Sequence, residues 1–349
     1  MAAALFLPHS PPLSVLYADL ESYALQQAVA FLGTPGAVIV RTNASGFRFY
    51  AHKYHDAEGK PRERYLAGPV GNAEADASAA GLRERIAESA ELGASFRLLG
   101  REGFSVVDAK TSAVLSALHN HGVFRAGAVL VGSHAYGILL NKLGIRAAPY
   151  ATEDVELARA GPLAFATPPQ ETLLGMLNES GLSIVEIPAL DRKAPSTSFK
   201  QRGRARFRVD LLAPGRDDTL APVPVPELGA HATSLPFLAY LLKESQPAMA
   251  MARSVCCAVR VPLPERFAVH KLITSSLRRG RDAKSGKDRQ QAVVLCAALA
   301  DLHPGALESA LRALPRTARR HLDAALRAVR EQLETSAPRA WEELRSELG

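Results

Sequence analysis

The feature that most constrains this chain is the run AGAVLVG at 126–132, which passes at once to Ser133 and a helix-like stretch, HAYGILLNKLG. Apolar on both faces, a strand built from it belongs in the middle of a sheet, with packing on either side. The chain therefore needs a covered sheet. Glycine at 132 lets the backbone approach a ligand without a Cβ, and Ser133 is expected to cap a helix beginning at His134. A helix start reached directly from such a strand presents free N–H groups, which favour an anion.

Around this unit the pattern alternates from Thr111 onward. Helices are expected at 111–120, 134–143 and 169–179, and strands at 126–132, near Asp154–Leu157, near 182–187 and at 204–212. That order predicts an α+β fold, a mixed sheet packed by helices. Ahead of it come a helix over 13–32 ending near Gly33, a meander of strands broken at 43–46 and 56–59, a charged helix from Ala73 to Glu91, and a short apolar stretch at 104–107. The Pro-rich APVPVPELG at 221–229 reads as a linker or an extended edge, and beyond Pro264 everything reads as helix, with Pro304, Pro315 and Pro338 as starts or breaks. At 349 residues the chain should hold two or three domains: an N-terminal helix plus β-meander at 1–110, a core at 111–262 and a C-terminal helical domain at 263–349.

Two charged patterns fall on the expected strands. In TEDVELA, Asp154 and Glu156 project from one face while Val155 and Leu157 turn to the other. Adjacent carboxylates repel unless a cation lies between them, and a hard divalent ion such as Mg2+, or Mn2+ in its place, is the natural occupant. In FKQRGRARFRVDLLAP, residues Lys200, Arg202, Arg204, Arg206, Arg208 and Asp210 share a face if the stretch stays extended. This predicts a basic strand at 200–208 ending in an acid. With a net charge of +7 and a pI near 9.4, the chain suits a polyanionic partner, a nucleoside triphosphate or a nucleic acid.

Taken together, the Gly-Ser helix start, the D-x-E pair and a later lone Asp resemble the polymerase-beta-type nucleotidyltransferase superfamily. GSHAYGILLNKLG, TEDVELA, FRVDLLAP, PERFAVHKLITSSLRR and KSGKDRQQA are more narrowly similar to uncharacterised bacterial nucleotidyltransferase-like proteins related to abortive-infection toxins, over about residues 36–300. The resemblance implies phosphate binding at Gly132 and Ser133, metal ligation and catalysis by Asp154, Glu156 and Asp210, and nucleotide contacts from Arg208, Lys271 and Lys287, the last beside Asp288. It implies magnesium-dependent transfer of a nucleoside monophosphate from a triphosphate such as ATP to a hydroxyl of RNA (tRNA included), protein or a small molecule, in a toxin-like setting. The alternative is a degenerate member that binds nucleotide or RNA without turnover. Two departures stand out: Glu156 where Asp is common, and a long gap between Ser133 and Asp154 that requires an extra loop.

Other residues receive plainer expectations. Lys271 and Arg278, seven apart, should share a helical face; His134 and His270 should cap or pack rather than bind metal. Cys256, Cys257 and Cys296 lack zinc or disulfide spacing and read as reduced core residues. The N-terminus lacks a basic signal-like region, and no apolar run approaches the ~20 residues of a membrane span, so a cytoplasmic protein without a membrane anchor is expected. Oligomeric state is not encoded in any of these patterns.

Overall fold

The computed structural model describes residues 4–148, 152–189, 191, 193–215, 220–277 and 282–346. A short strand β1 (Leu7–Pro8) precedes helix α1 (Pro11–Gln26), whose two leading prolines occupy positions where a helical N–H would have no partner. Apolar periodicity carries this helix on to residue 32, yet it stops at Gln26. Downstream, Asn120 accepts the Ala30 N–H at 2.7 Å and donates to its carbonyl at 3.0 Å, holding that backbone out of a helix. Strands β2 (Ala37–Thr42), β3 (Arg48–His55) and β4 (Pro61–Ala67) form the expected antiparallel meander. Helix α2 (Ala73–Arg101) is capped by the Asn72 side chain, which accepts from the Glu74 and Ala75 amides. It continues past Glu91, its expected end, and through Gly93, because Phe96 and Leu99 are buried with Tyr17 and Leu20 of α1. Burying two large side chains outweighs the ~1 kcal/mol a helical glycine costs.

Next come α3 (Ala109–Asn120), capped by Asp108, then β5 (Val129–Val131), α4 (Gly132–Lys142), β6 (Ile145–Arg146) and β7 (Asp154–Ala158). They are followed by α5 (Leu173–Asn178), β8 (Ile184–Glu186), β9 (Ser198–Gln201), β10 (Arg208–Pro214), β11 (Pro222–Val225) and β12 (Ala230–Leu235). The main sheet runs β11-β12-β10-β7-β5, with β9 beside the first half of β10 and β8 beyond it. β7 and β12 run parallel to β10, and β5, β9 and β11 run antiparallel to their neighbours, so the sheet is mixed and the fold α+β as expected. β11 is an edge strand, where Pro222 and Pro224 remove no interior ladder bond.

One expectation fails outright. Residues 200–210 are not a single strand: the chain turns between Gln201 and Arg208, with Gly203 at φ +94°, and β9 and β10 pair as a hairpin. Arg202, Arg204 and Arg206 are exposed in that turn and share no strand face with Arg208 and Asp210. The alternation of cations misled because a glycine able to adopt positive φ sits inside it.

The chain ends with α6 (Leu238–Leu242), a hairpin of β13 (Ser245–Met251) and β14 (Cys256–Pro262), then α7 (Pro264–Leu277), α8 (Asp282–Leu302), α9 (Ala306–Arg312), α10 (Arg319–Ser336) and α11 (Pro338–Ser346). One apolar core joins Leu130, Val155, Leu157 and Val209 of the sheet to Phe267, Leu272, Val293 and Leu326 of these helices. The C-terminal helices are thereby fixed against the sheet. All three cysteines are free and buried; burial raises each thiol, Cys257 and Cys296 to about 12, which keeps them unreactive.

Candidate active site

Strand register gathers the acids. Across the sheet, Ser198 of β9 lies opposite Asp210 of β10, Asp210 opposite Glu156 of β7, and Glu156 opposite Val131 of β5. Gly132 follows immediately, so this row ends at the start of α4. The next row contains Lys200, Arg208 and Asp154. In both β7 and β10 the alternate residues Val155, Leu157, Val209 and Leu211 are buried, which leaves the charged set on the other face.

Gly132 is required where it stands. It adopts φ +69°, and a Cβ there would fall on the Glu156 carboxylate. The helix begins two residues earlier than the sequence implied: Val131 occupies the N-cap position without a side-chain cap, and Ser133 lies inside the first turn. Ser133 instead makes a long 3.5 Å contact through Oγ with Nε2 of Gln291, a fully buried residue of α8. The first-turn amides of α4 are therefore not closed off by a side-chain cap.

Arg208 sits among the carboxylates. Its Nη2 donates to Asp210 Oδ2 at 2.9 Å, and its Nε lies 3.9 Å from Asp154 Oδ1. The other Asp210 oxygen accepts from Ser198 Oγ at 2.5 Å, and the Asp154 N–H is held by Thr152 Oγ1 at 3.3 Å. The N-terminal meander braces this hairpin from outside. At its tip, Glu58 accepts from Gln201 Nε2 at 2.6 Å, and Lys110 of α3 donates to Gln201 Oε1 at 2.8 Å.

The C-terminal helices contribute differently from the sequence reading. Lys271 is 8% exposed and donates to Asp288 at 2.7 Å, so its ammonium is held inside the α7–α8 pair. Asp288 thus partners Lys271, and the adjacent Lys287 is the cation in electrostatic reach of the site. Burial and the nearby Lys271 lower its pKa, while Glu156, Asp288 and Asp154 act to raise it. Arg278 lies outside the described residues. His134 is held neutral: burial pushes it down to about 4, with Asp108 and Asp154 opposing that shift and Lys287 reinforcing it.

Of the residues singled out from sequence, the structure brings together Gly132, Ser133, Asp154, Glu156, Asp210 and Arg208, adds Lys287 at their edge, and removes Lys271 to an interior pair. Sequence reasoning passed over Ser198, Thr152 and Gln291. Gln291 stood four residues after Lys287 on the same helical face, a spacing that could have marked it.

A sheet that sets three carboxylates on adjoining strands, beside a helix start open to anions, is an arrangement suited to a ligand that carries phosphate. A family model described as Nucleotidyltransferase matches residues 109–315, more than half of the chain, and the protein belongs to that family. No curated protein and no solved structure matches the sequence. Nucleotidyltransferases generally work with divalent metals and take nucleoside triphosphates. The donors here suit such an ion, being hard carboxylate oxygens. Among the described residues no ready ligand set of three acidic, histidine or cysteine side chains is gathered; the Arg208 guanidinium neutralises Asp154 and Asp210 instead. A divalent ion at these carboxylates would have to compete with Arg208 for the same oxygens.

Proposed function

We propose that the protein moves a nucleoside monophosphate from a nucleoside triphosphate to a hydroxyl acceptor with the help of Mg2+. The observation that carries this reading is the register row that ends Ser198, Asp210 and Glu156 at Gly132, beside the open start of α4. Asp154, Glu156 and Asp210 would hold the ion, which when bound supplies charge neutralisation for the phosphates. The first-turn amides of α4 and Ser133 bind phosphate oxygens, and Lys287 adds positive charge from α8. In the reaction the acceptor oxygen bonds to the α-phosphorus, the bond from that phosphorus to the β-bridging oxygen breaks, and pyrophosphate leaves. Asp210 is placed to take the acceptor proton, with its carboxylate oriented by the 2.5 Å bond from Ser198. Arg208 screens the acids before the ion arrives and turns to the triphosphate once displaced.

A second reading, nucleotide binding without turnover, is favoured by one observation: Arg208 already satisfies Asp210. The exposed arginines of the β9–β10 turn suit RNA binding under this second reading, and kinship to abortive-infection toxins rests on the sequence motifs alone. Incubating wild type and Asp154→Ala with each α-labelled triphosphate, Mg2+ and total RNA or the protein itself tests the proposal. Label transferred by wild type and lost in the variant supports transfer; Mg2+-dependent nucleotide binding without pyrophosphate release from any nucleotide sinks it in favour of the second reading.

A further inference from the structure

Beside α4, on a wall to which neither α7 nor α8 contributes, lies a cleft of about 840 Å³, a volume typical of small-molecule sites. We infer that this cleft holds the acceptor, and that the acceptor is a small, uncharged, ring-bearing alcohol; the inference rests on the transfer reading above and names its second substrate.

Position comes first. Ser133 and His134 of the α4 first turn line the cleft, as does Thr152, whose hydroxyl fixes the Asp154 amide. One end of the cleft thus adjoins the start of α4 and lies one hydrogen bond from the Asp154 backbone. The cleft is also built rather than incidental. The buried Asn141 side chain accepts from the Ser105 N–H at 2.7 Å and donates to its carbonyl at 2.9 Å, and His9 stacks on Phe104 at 3.7 Å between ring centroids. β1 pairs with β6 along one rim through Leu7 and Arg146.

Lining chemistry selects the ligand. Phe104, Val106, Ile138 and Leu140 offer an apolar surface to a ring. Asp108 is already engaged, accepting from the Lys110 and Thr111 amides and from the Thr111 hydroxyl at 2.6 Å. Arg146 is the one lysine or arginine among the described lining residues, too little positive charge for a triphosphate or an RNA backbone. His134 lines the cleft and supplies the polar handle: its Nε2 lies beneath the cleft surface with no hydrogen-bond partner among the described residues, and a turn of the imidazole brings it to a ligand. A ligand hydroxyl satisfies that nitrogen, and a buried polar atom left without a partner costs about 1–3 kcal/mol.

The test uses the full chain carrying 13Cε1-labelled histidine, with His134→Asn assigning one of the ten signals. Tyrosol and cyclohexylmethanol are the acceptor probes, adenosine tests for a nucleobase in the cleft, and Mg·ATP binding is followed separately by calorimetry. Both alcohols should shift the His134 signal, equally with Mg·ATP present. Leu7→Asp, at a wall position 48% exposed and so harmless to folding, should weaken the alcohols by about 5-fold or more and leave ATP affinity unchanged. Adenosine moving the same signal and competing with the alcohols would overturn the inference in favour of a base pocket. So would the absence of any shift from either alcohol, even where Mg·ATP binds. Alcohol binding with no ATP binding would instead count against nucleotidyl transfer while leaving the cleft a ring-alcohol site.

Discussion

Two cation–carboxylate pairs, Lys271–Asp288 and Arg208–Asp210, behave as opposites. Lys271 and Asp288 are sealed between α7 and α8, with side chains 10% and 3% exposed, whereas Arg208 and Asp210 face open space at 39% and 14%. Both are short ion pairs, yet only the open one is reversible at little cost. A sealed pair cannot trade partners without stranding a charge in the interior, while an exposed arginine can leave a carboxylate to water, metal or phosphate. Burial, rather than residue type, decides which pair holds the fold and which is free to serve chemistry.

The largest test of that contrast is on the acids. Asp154→Asn should lower transfer by about three orders of magnitude, about 4 kcal/mol in barrier, with stability within about 1 kcal/mol of wild type. Initial-rate assays alongside urea unfolding check both halves. A large stability loss would mean that the open pair is structural after all.

The sealed pair should respond in reverse. Lys271→Met strands Asp288 and should cost about 3–5 kcal/mol of unfolding free energy, while Lys271→Met with Asp288→Leu should recover most of it. Urea titrations of the two variants measure this. If the double variant folds normally but no longer binds Mg·ATP, Lys271 acts on nucleotide and the division drawn here is wrong.

The same contrast explains what was legible in the sequence. Residues whose placement follows from strand parity and adjacency were readable: Asp154 and Glu156 on one face, and Gly132 at the passage from strand to helix. Glu156 and Gly132 even fit one another, although only the register of β5 on β7 reveals it. The interior partner of Lys271 was not legible, because a lysine on an amphipathic helix looks the same whether its ammonium reaches solvent or a carboxylate seventeen residues on. The cationic stretch at 200–210 misled for a local reason, the positive-φ Gly203, and β13 was missed because its second half, Ala248 to Met251, is buried on both faces and made of Ala and Met, without the alternation that marks a strand. Ser198 meets Asp210 across the β9–β10 hairpin, a tertiary contact that no spacing announces.

His134 gives a third, smaller effect at the border between the sealed and open regions. Its imidazole titrates near 6.5 in the unfolded chain and about 4 when folded, so the unfolded state binds more protons between those values. Stability from this group is complete at neutral pH and falls as pH drops from 6.5 toward 4, by about 3 kcal/mol in all. His134→Asn should flatten that acid limb in unfolding curves taken between pH 7 and pH 4. An unchanged limb would show that the α4 side of the site is as wet as the Arg208 side.

Arg208 yields the smallest change in stability and the sharpest reading of the site. Because the pair is partly exposed, Arg208→Gln should alter unfolding free energy by less than about 1 kcal/mol. Its effects on ligands should split in sign. Without the guanidinium, Asp154 and Asp210 present uncompensated charge, so Mn2+ used as a paramagnetic probe of the metal site should bind several-fold more tightly. The triphosphate, losing a cation, should bind several-fold more weakly at saturating metal, each factor being about 1 kcal/mol. Opposite shifts in one variant would mean that the arginine and the metal exchange places on the same oxygens. If both ligands weaken together, Arg208 is holding the carboxylates in position, and the open pair resembles the sealed one more than its exposure suggests.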